Sequence, residues 1–288
     1  MFCTTELMGG LGNQLFQIFS LIAYSLKNKK PFYFENKQIN AGWRKKYYWN
    51  TSLLNNLKKF IKDVKPNTLV YREPHHHYAE IPPTSQYTQP VKLFGYFQSY
   101  KYSINYKESI LKFIKLTNTQ ELIKNKVLPC LPIDFSNIVS IHFRVGDYKN
   151  IQHNHPVMTA EYYEKALEQL LIDIPEKDDW YVLYFFEEDD KSDIDNKINK
   201  IKENSKFSKM NFIPIDHNLI KDDWEEMVTM SLCRHHIIAN SSFSWWGAYL
   251  NQNQETPNVY YPSVWFGPSM HANSVKDLCP DEWKKIIV

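Results

Sequence analysis

The sequence predicts an α/β protein made of two parallel-sheet domains facing each other, and three observations carry that expectation. Short apolar runs alternate with helical patterns in both halves of the chain. The opening residues read as strand, glycine-rich turn, helix and strand, a βαβ unit. Three strands run into loops rich in anion-binding groups: Met8-Gly-Gly-Leu-Gly-Asn-Gln-Leu-Phe16, Ile141-His-Phe-Arg-Val-Gly-Asp-Tyr148 and Asn240-Ser-Ser-Phe-Ser-Trp-Trp-Gly-Ala248. Parallel sheets gather ligand sites at such strand ends, so the three loops are expected to share one cleft.

The elements follow in order. Phe2 to Leu7 reads as the first strand. Asn13 to Lys27 carries Leu15, Phe16, Phe19, Ile22, Ala23 and Leu26 at spacings of three and four, one apolar helix face with Lys27, Lys29 and Lys30 near its negative end. Pro31 to Phe34 is the second strand. Residues 36–90 are less regular and hold Trp43, Pro66, His75-His-His77 and Ile81-Pro-Pro83. Val91 to Phe97 is a further strand, with Gly95-Tyr-Phe-Gln98 directed at the cleft, and Tyr106 to Leu128 is helical. Pro129 and Pro132 break that pattern, so the domain crossing is placed at 129–137.

Beyond it, Ile138 to Phe143 is a strand, and Thr159 caps a helix from Ala160 to Ile172. Tyr181 to Phe186 is a strand ending in four acids, Glu187 to Asp190. Ile194, Ile198 and Ile201 mark an amphipathic helix. Asn211 to Ile215 is a strand, Trp224 to Cys233 a helix, and His236 to Ala239 the strand before the serine turn. Val259 to Tyr261 is the last strand and Asp281 to Ile287 a closing helix.

The 288 residues suffice for one large domain or two ordinary ones, and 43% hydrophobic content allows a substantial core. A net charge of +2 with both signs interspersed argues against a nucleic-acid binder, which would show a basic face. Cys3, Cys130, Cys233 and Cys279 are far apart with no CxxC, and read as reduced, mostly buried thiols of a cytoplasmic protein. No basic start followed by an apolar stretch precedes the first motif, so no signal peptide is expected. No apolar run has membrane-spanning length. Lys27, Lys29, Lys30, Arg44, Lys45 and Lys46 read as a solvated basic set, with peripheral membrane contact as the alternative.

The first turn invites comparison with a dinucleotide fingerprint. Gly10 and Gly12 supply two glycines, and Glu35 ends the second strand where a ribose-binding acid would sit. Leu15 occupies the third glycine position, so a nicotinamide or flavin cofactor is disfavoured. The three adjacent histidines lack ligand partners at metal-binding spacing. Ser241, Ser242 and Ser244 fall where the first turn of a helix leaves N–H groups unpaired, which suits a phosphate. The plain alternative is a serine N-cap with two core tryptophans.

Together the residues resemble family 11 of the glycosyltransferases, the α-1,2-fucosyltransferases. The hallmarks are Gly9-Gly-Leu-Gly-Asn-Gln-Leu-Phe-Gln17, His142-Phe-Arg-Val-Gly-Asp-Tyr148 and Asn240-Ser-Ser-Phe-Ser-Trp-Trp-Gly247. The resemblance implies a GT-B architecture with residues 1–132 as an acceptor-side domain and 133–288 as a GDP-fucose-binding domain, both Rossmann-like. It also implies GDP-β-L-fucose as donor, a galactose-terminated glycan as acceptor, inversion at the anomeric carbon and no metal. His142 would contact the guanosine and Arg144 the β-phosphate. Gly10, Gly12, Asn240, Ser241, Ser242, Phe243 and Ser244 complete the expected donor-binding set.

Physical chemistry agrees with an arginine-based site. A nucleoside diphosphate leaves with developing negative charge, which a planar guanidinium and helix N-terminal donors can stabilise. Asp193-Ile-Asp195 has the form of a metal-binding pair but sits in a lysine-rich amphipathic run, where a solvated face is the default. Guanine offers two adjacent N–H donors that a carboxylate accepts together. Glu226 is the residue expected to read it, with Asp222 and Asp223 as alternatives. Asn13 orients acceptor or donor phosphate, or is a turn residue tolerating left-handed dihedrals. Asp147 is a candidate general base or a brace for its loop, and His155 is the second candidate base. Where the family often has a second arginine, this chain has Val145, which strand alternation aims away from Arg144. The competing readings are another linkage or donor sugar, and a catalytically silent sugar- or nucleotide-binding protein.

Overall fold

A computed structural model describes residues 1–36, 46–63, 67–253, 255–270 and 275–288. Trp43, Arg44, Lys45 and Pro66 lie outside the described residues. The chain divides into two compact units, Met1–Thr119 with Asn273–Pro280, and Gln120–Ala272 with Asp281–Val288. The division falls inside a helix, where the Gln120 amide donates to Ser231 Oγ at 3.0 Å and to the Leu250 carbonyl at 3.1 Å. Those buried bonds tie the rest of that helix to the second unit.

The first unit holds β1 (Cys3–Thr5), α1 (Leu11–Asn28), β2 (Phe32–Glu35), β3 (Ile61–Lys62), β4 (Leu69–Arg72), β5 (Val91–Phe94) and α2 (Lys107–Ile114), and α3 (Leu116–Val127) begins in it. Its sheet is parallel, in the order β3-β2-β1-β5-β4. Strands β3 and β4 lie in the stretch that showed no regular pattern. They are short edge strands, and β4 leaves Leu69, Val70 and Arg72 exposed, so no burial period marks it. The expected single helix across 106–128 is two, α2 and α3, separated by Lys115 at φ 56°.

Helix α1 is buried on more than the one predicted face: between Leu11 and Ser25 only Asn13 is not fully buried. Each large apolar side chain so buried contributes about 1.5–3 kcal/mol. The glutamines among them are tolerated because the backbone satisfies their amides. Gln14 Nε2 donates to the carbonyls of Gly9 (3.0 Å) and Lys46 (2.7 Å). Gln17 accepts from Met8 N–H at 2.9 Å and donates to the carbonyls of Met8 and Asn13, each at 3.0 Å. These bonds clamp the glycine-rich turn onto the helix that follows it. Glu35, the acid at the end of β2, pairs with Lys92 at 2.9 Å.

The second unit holds β6 (Ile138–His142), α4 (Ala160–Asp173), β7 (Tyr181–Phe185), α5 (Lys191–Lys202), β8 (Asn211–Pro214), α6 (Asp223–Leu232), β9 (His235–Ile237), α7 (Ser242–Tyr249), β10 (Val259–Pro262) and β11 (Lys284–Ile286). The sheet is again parallel, in the order β11-β10-β9-β6-β7-β8. Strand β6 is buried at every residue, as expected for a central parallel strand. The C-terminal segment corrects the sequence reading: Asp281 to Ile287 is not a helix but carries β11, paired in parallel with β10 from Tyr260↔Lys284 to Pro262↔Ile286. A seven-residue segment is too short to hold a helix by itself, and the open edge of β10 satisfies its backbone instead.

Cys3, Cys233 and Cys279 are buried and Cys130 is exposed. No helix among the described residues is long and apolar enough to cross a membrane.

Candidate active site

In the second unit, chain order β6, β7, β8 proceeds to one side of β6, and β9, β10, β11 to the other. The reversal lies between β6 and β9, so the loops leaving their C-terminal ends diverge and leave a crevice. These loops are His142–Tyr148 and Asn240–Ser244. The Tyr148 hydroxyl donates to the Asn240 carbonyl at 3.2 Å, and the rings of His142 and Phe243 lie 5.5 Å apart. The topology therefore brings two of the three sequence motifs side by side. The third, with Gly10, Gly12 and Asn13, belongs to the first unit and occupies its corresponding reversal, between β1 and β5.

Arg144 sits at the mouth of β6. Its guanidinium forms ion pairs with Asp147 and Glu187 and lies over the Tyr148 ring, 4.9 Å from the centroid. Asp147 therefore holds the arginine. Bracing of the loop backbone falls to Asp190, which accepts the Gly146 N–H at 2.6 Å and is paired with Lys149 at 2.8 Å. Gly146 has φ 33°, a backbone conformation that side chains rarely adopt, which favours glycine at this point of the loop beside Glu187. Val145 is buried, and the charge partners of Arg144 come from Asp147 and Glu187. Glu187 and Asp190 were visible in the sequence only as part of an acidic run.

His142 is buried and its Nδ1 has no hydrogen-bond partner. Burial, and secondarily Arg144, push its pKa down to about 3, so it is neutral at physiological pH. A neutral ring with an unsatisfied buried nitrogen is suited to receive a ligand's hydrogen bond. His155 stacks on Tyr148 with centroids 4.9 Å apart and packs against Phe266. Burial lowers its pKa, which favours the form able to accept a proton.

Ser241 is the N-cap of α7, its Oγ accepting the Phe243 N–H at 3.2 Å. Ser244 is turned inward to the carbonyls of Ser241 (3.3 Å) and Ala239 (3.5 Å) and is fully buried. Asn240 anchors the loop by donating to the carbonyls of Pro156 (3.0 Å) and Trp265 (3.2 Å). Trp245 and Trp246 are wholly buried. The serine turn is thus a capped helix start seated on tryptophans, with Ser242 and the N-terminal N–H groups as its outward part.

Beside Glu187 the surface dips into a depression lined by Phe186, His217, Ile220, Asp223 and Glu226. Glu226, on the first turn of α6, has its pKa raised to about 8, chiefly by burial and then by Asp223 and Glu187. Phe186 and His217 meet edge to face at 5.1 Å, and His217 Nε2 is buried without a partner. Asp222 is the exposed N-cap residue of α6 and does not line the depression. His217 was not anticipated; it lies in a loop where no sequence period marks it. Asp193 and Asp195 are engaged by lysines, Asp193 by Lys149 at 2.6 Å and Asp195 by Lys191 at 3.2 Å.

The comparisons with known proteins agree with this architecture. An Alpha-1,2-colitosyltransferase of Escherichia coli is 28% identical, over 98% of this chain and 97% of that protein. The O-antigen biosynthesis glycosyltransferase WbnK of Escherichia coli is 29% identical, over 66% of this chain and 59% of that one. A solved structure of a mutant of Arabidopsis thaliana FUT1 in complex with GDP is 10% identical, covers 98% of this chain and 76% of that one, and has a TM-score of 0.50. That likeness concerns the fold, two parallel-sheet α/β units of the GT-B class. The sequence profile of glycosyl transferase family 11 matches residues 1–263, and the chain belongs to that family.

Proposed function

We propose that this glycosyltransferase moves L-fucose from GDP-β-L-fucose to a hydroxyl of a galactose-terminated glycan, with inversion, in an α-1,2 linkage and without a metal. The observation that carries the reading is the placement of Arg144 and the capped start of α7 on adjoining strands at the sheet reversal. A guanidinium and helix N–H groups aimed at one crevice suit a diphosphate. His142 then meets the nucleoside, and Glu226 in its depression reads the guanine donors.

In the reaction the acceptor oxygen attacks the anomeric carbon, the bond from that carbon to the β-phosphate oxygen breaks, and GDP departs with the electron pair. Arg144 and the α7 N-terminus stabilise the charge that develops on it. The acceptor proton passes to Asp147 or His155.

One observation favours a second donor sugar: the Escherichia coli relative aligned over nearly the whole chain is an α-1,2-colitosyltransferase. Colitose as the transferred sugar would keep the linkage and change the donor. The test offers GDP-β-L-fucose and a colitose donor in parallel, with galactosides as acceptors and EDTA present, followed by linkage analysis of the product. Transfer of fucose to galactose O2 supports the proposal. Transfer of colitose alone moves the assignment to the second reading. Donor hydrolysis that no acceptor accelerates, or no turnover at all, refutes both.

A further inference from the structure

The net charge of +2 is the remainder of two larger and opposite charges. The first unit, Met1–Thr119 with Asn273–Pro280, holds 18 lysines and arginines against 7 aspartates and glutamates, which makes it +11. The second unit holds 16 against 25 and is −9. Segregation of this size bears on what a protein adheres to rather than on how it folds. Seven carboxylates cannot neutralise eighteen cations, and four of the seven are already engaged. Lys27 pairs with Glu80, Lys92 with Glu6 and Glu35, and Lys101 with Asp277.

Part of the remaining positive charge gathers at one edge of the sheet. All five strands are parallel, so their starts share an edge, opposite the ends from which the glycine-rich turn departs. Helix α1 runs back to that edge and ends there, with Lys29 and Lys30 just before Phe32 opens β2. A short stretch of 3-10 helix, Asn55–Phe60, brings Lys59 and Phe60 to the start of β3. The last turn of α2 brings Lys112 and Phe113, with Lys115 just past it. The three phenylalanines meet: Phe32 stacks on Phe60 at 4.7 Å, and Phe113 lies 5.3 Å from Phe60 and 6.0 Å from Phe32. Each of the three is only half-buried. The Lys59 Nζ lies over the rings of Phe60 and Phe113, 5.3 and 5.9 Å from their centroids. Among the described residues, Lys29, Lys30, Lys59, Lys112 and Lys115 form no ion pair.

Half-exposed rings set among lysines without carboxylate partners suit the boundary of a lipid bilayer. Aromatic rings settle at headgroup level, lysine stems lie along the apolar surface, and the ammonium groups meet lipid phosphates. A soluble acidic substrate would be met at the other edge of the sheet, where parallel strands gather their ligand sites. The edge at the strand starts is therefore placed for attachment and leaves the opposite loops clear. We propose that this edge of the first unit, with its three phenylalanines and five lysines, docks on a membrane rich in anionic phospholipid. The acidic second unit takes no part, since the same surface repels it. The inference stands apart from the identity of the donor sugar.

The experiment mixes the full chain with vesicles of phosphatidylcholine alone, and of phosphatidylcholine with phosphatidylglycerol, and measures the fraction that floats with the lipid. Immobilised heparin and lipid-free sedimentation run alongside, with thermal melting as a check of the fold. Binding to the anionic vesicles alone is expected. It should fall steeply between about 0.1 and 1 M salt, as the screening length shrinks from about 10 Å to about 3 Å. Each lysine at such a surface contributes about fivefold in affinity. The triple variant Lys59→Gln, Lys112→Gln, Lys115→Gln should therefore bind about a hundredfold more weakly, with melting temperature unchanged. Lys200→Gln, Lys202→Gln, Lys209→Gln neutralises three exposed lysines of the second unit and should leave binding nearly unchanged. Equal losses in the two triple variants assign the binding to net charge and overturn the docking edge. Equal binding to both kinds of vesicle, or none to either, also overturns it. Heparin binding without vesicle binding makes the partner a soluble polyanion and refutes the bilayer. A salt-sensitive dimer in lipid-free sedimentation, lost in the Lys59 triple variant, makes a second copy the occupant and refutes it too. If that triple variant fails to melt cooperatively, the three single variants replace it, and full affinity in each refutes the proposal.

Discussion

Protonated, the Glu226 carboxyl has one acceptor oxygen and one O–H donor; ionised, it can accept both adjacent N–H groups of guanine. Burial, then Asp223 and Glu187, push its pKa up to about 8, so at pH 7 roughly a tenth of the molecules carry the ionised form. If Glu226 reads the base, GDP must select that form and expel the proton. The selection costs about 1.4 kcal/mol at pH 7, tenfold in affinity. Between pH 7.0 and 8.5 the ionised fraction rises about eightfold, and GDP affinity should rise with it. That window lies above the titration of a terminal phosphate, near pH 6. Calorimetry in two buffers of different ionisation enthalpy should report close to one proton released per GDP at pH 7. The sign for the fold alone is opposite. A carboxyl whose folded pKa is raised adds stability below its unfolded value of about 4.5, and that stability is lost as pH rises through about 8. The nucleotide-free protein should therefore lose melting temperature across the window in which GDP binding strengthens. Glu226→Gln should flatten both profiles, and at pH 8.5 should bind GDP about tenfold more weakly than the wild type, for one lost charge-assisted bond. A GDP affinity in the wild type that does not change from pH 7.0 to 8.5, or an unchanged slope in Glu226→Gln, would refute the assignment.

Arg144→Lys should remove most activity, because the two-point hold on phosphate is worth roughly 3–4 kcal/mol in the transition state; a variant keeping more than about a third of the wild-type rate, under 1 kcal/mol, excludes the role. Turnover should survive EDTA and gain little from manganese or magnesium; loss under EDTA reversed by a divalent ion would return Asp193 and Asp195 to consideration as ligands. Asp147→Asn and His155→Ala separate the two candidate bases: the true base loses about 10²–10⁴ in rate with GDP affinity near normal, whereas a residue that only orders Arg144 weakens GDP binding alongside rate. If neither variant loses rate with binding intact, the proton goes to neither side chain.

Most of the fold was legible because burial imposes periods on the sequence. Ile138 to His142 reads as a central strand since every residue in it is apolar or pocketed, and the spacing of Ile194, Ile198 and Ile201 reads as one helix face. The failures have physical reasons. Edge strands such as β3 and β4 bury little, so no period records them. Lys115 ends α2 in a left-handed turn that its residue type does not announce. The Asp281–Ile287 segment carries helical spacing, yet the open edge of β10 claims its backbone.

The site divides in the same way. The sequence by itself determined which residues have the chemistry: the arginine of the central motif, the serine N-cap and the glycine turn are recognisable because local backbone rules demand those residue types at strand and helix ends. Only the tertiary structure decided which of them act on one another. Strand order brings the Arg144 loop beside the serine turn, carries Glu187 from β7 to the guanidinium, places Glu226 in one depression with His217 and Phe186, and lets Gln98 reach Asn13 across 85 residues of chain. Those pairings arise from which strands exchange hydrogen bonds, a choice set by the packing of the whole sheet, and nothing local to Glu187 or Gln98 records it.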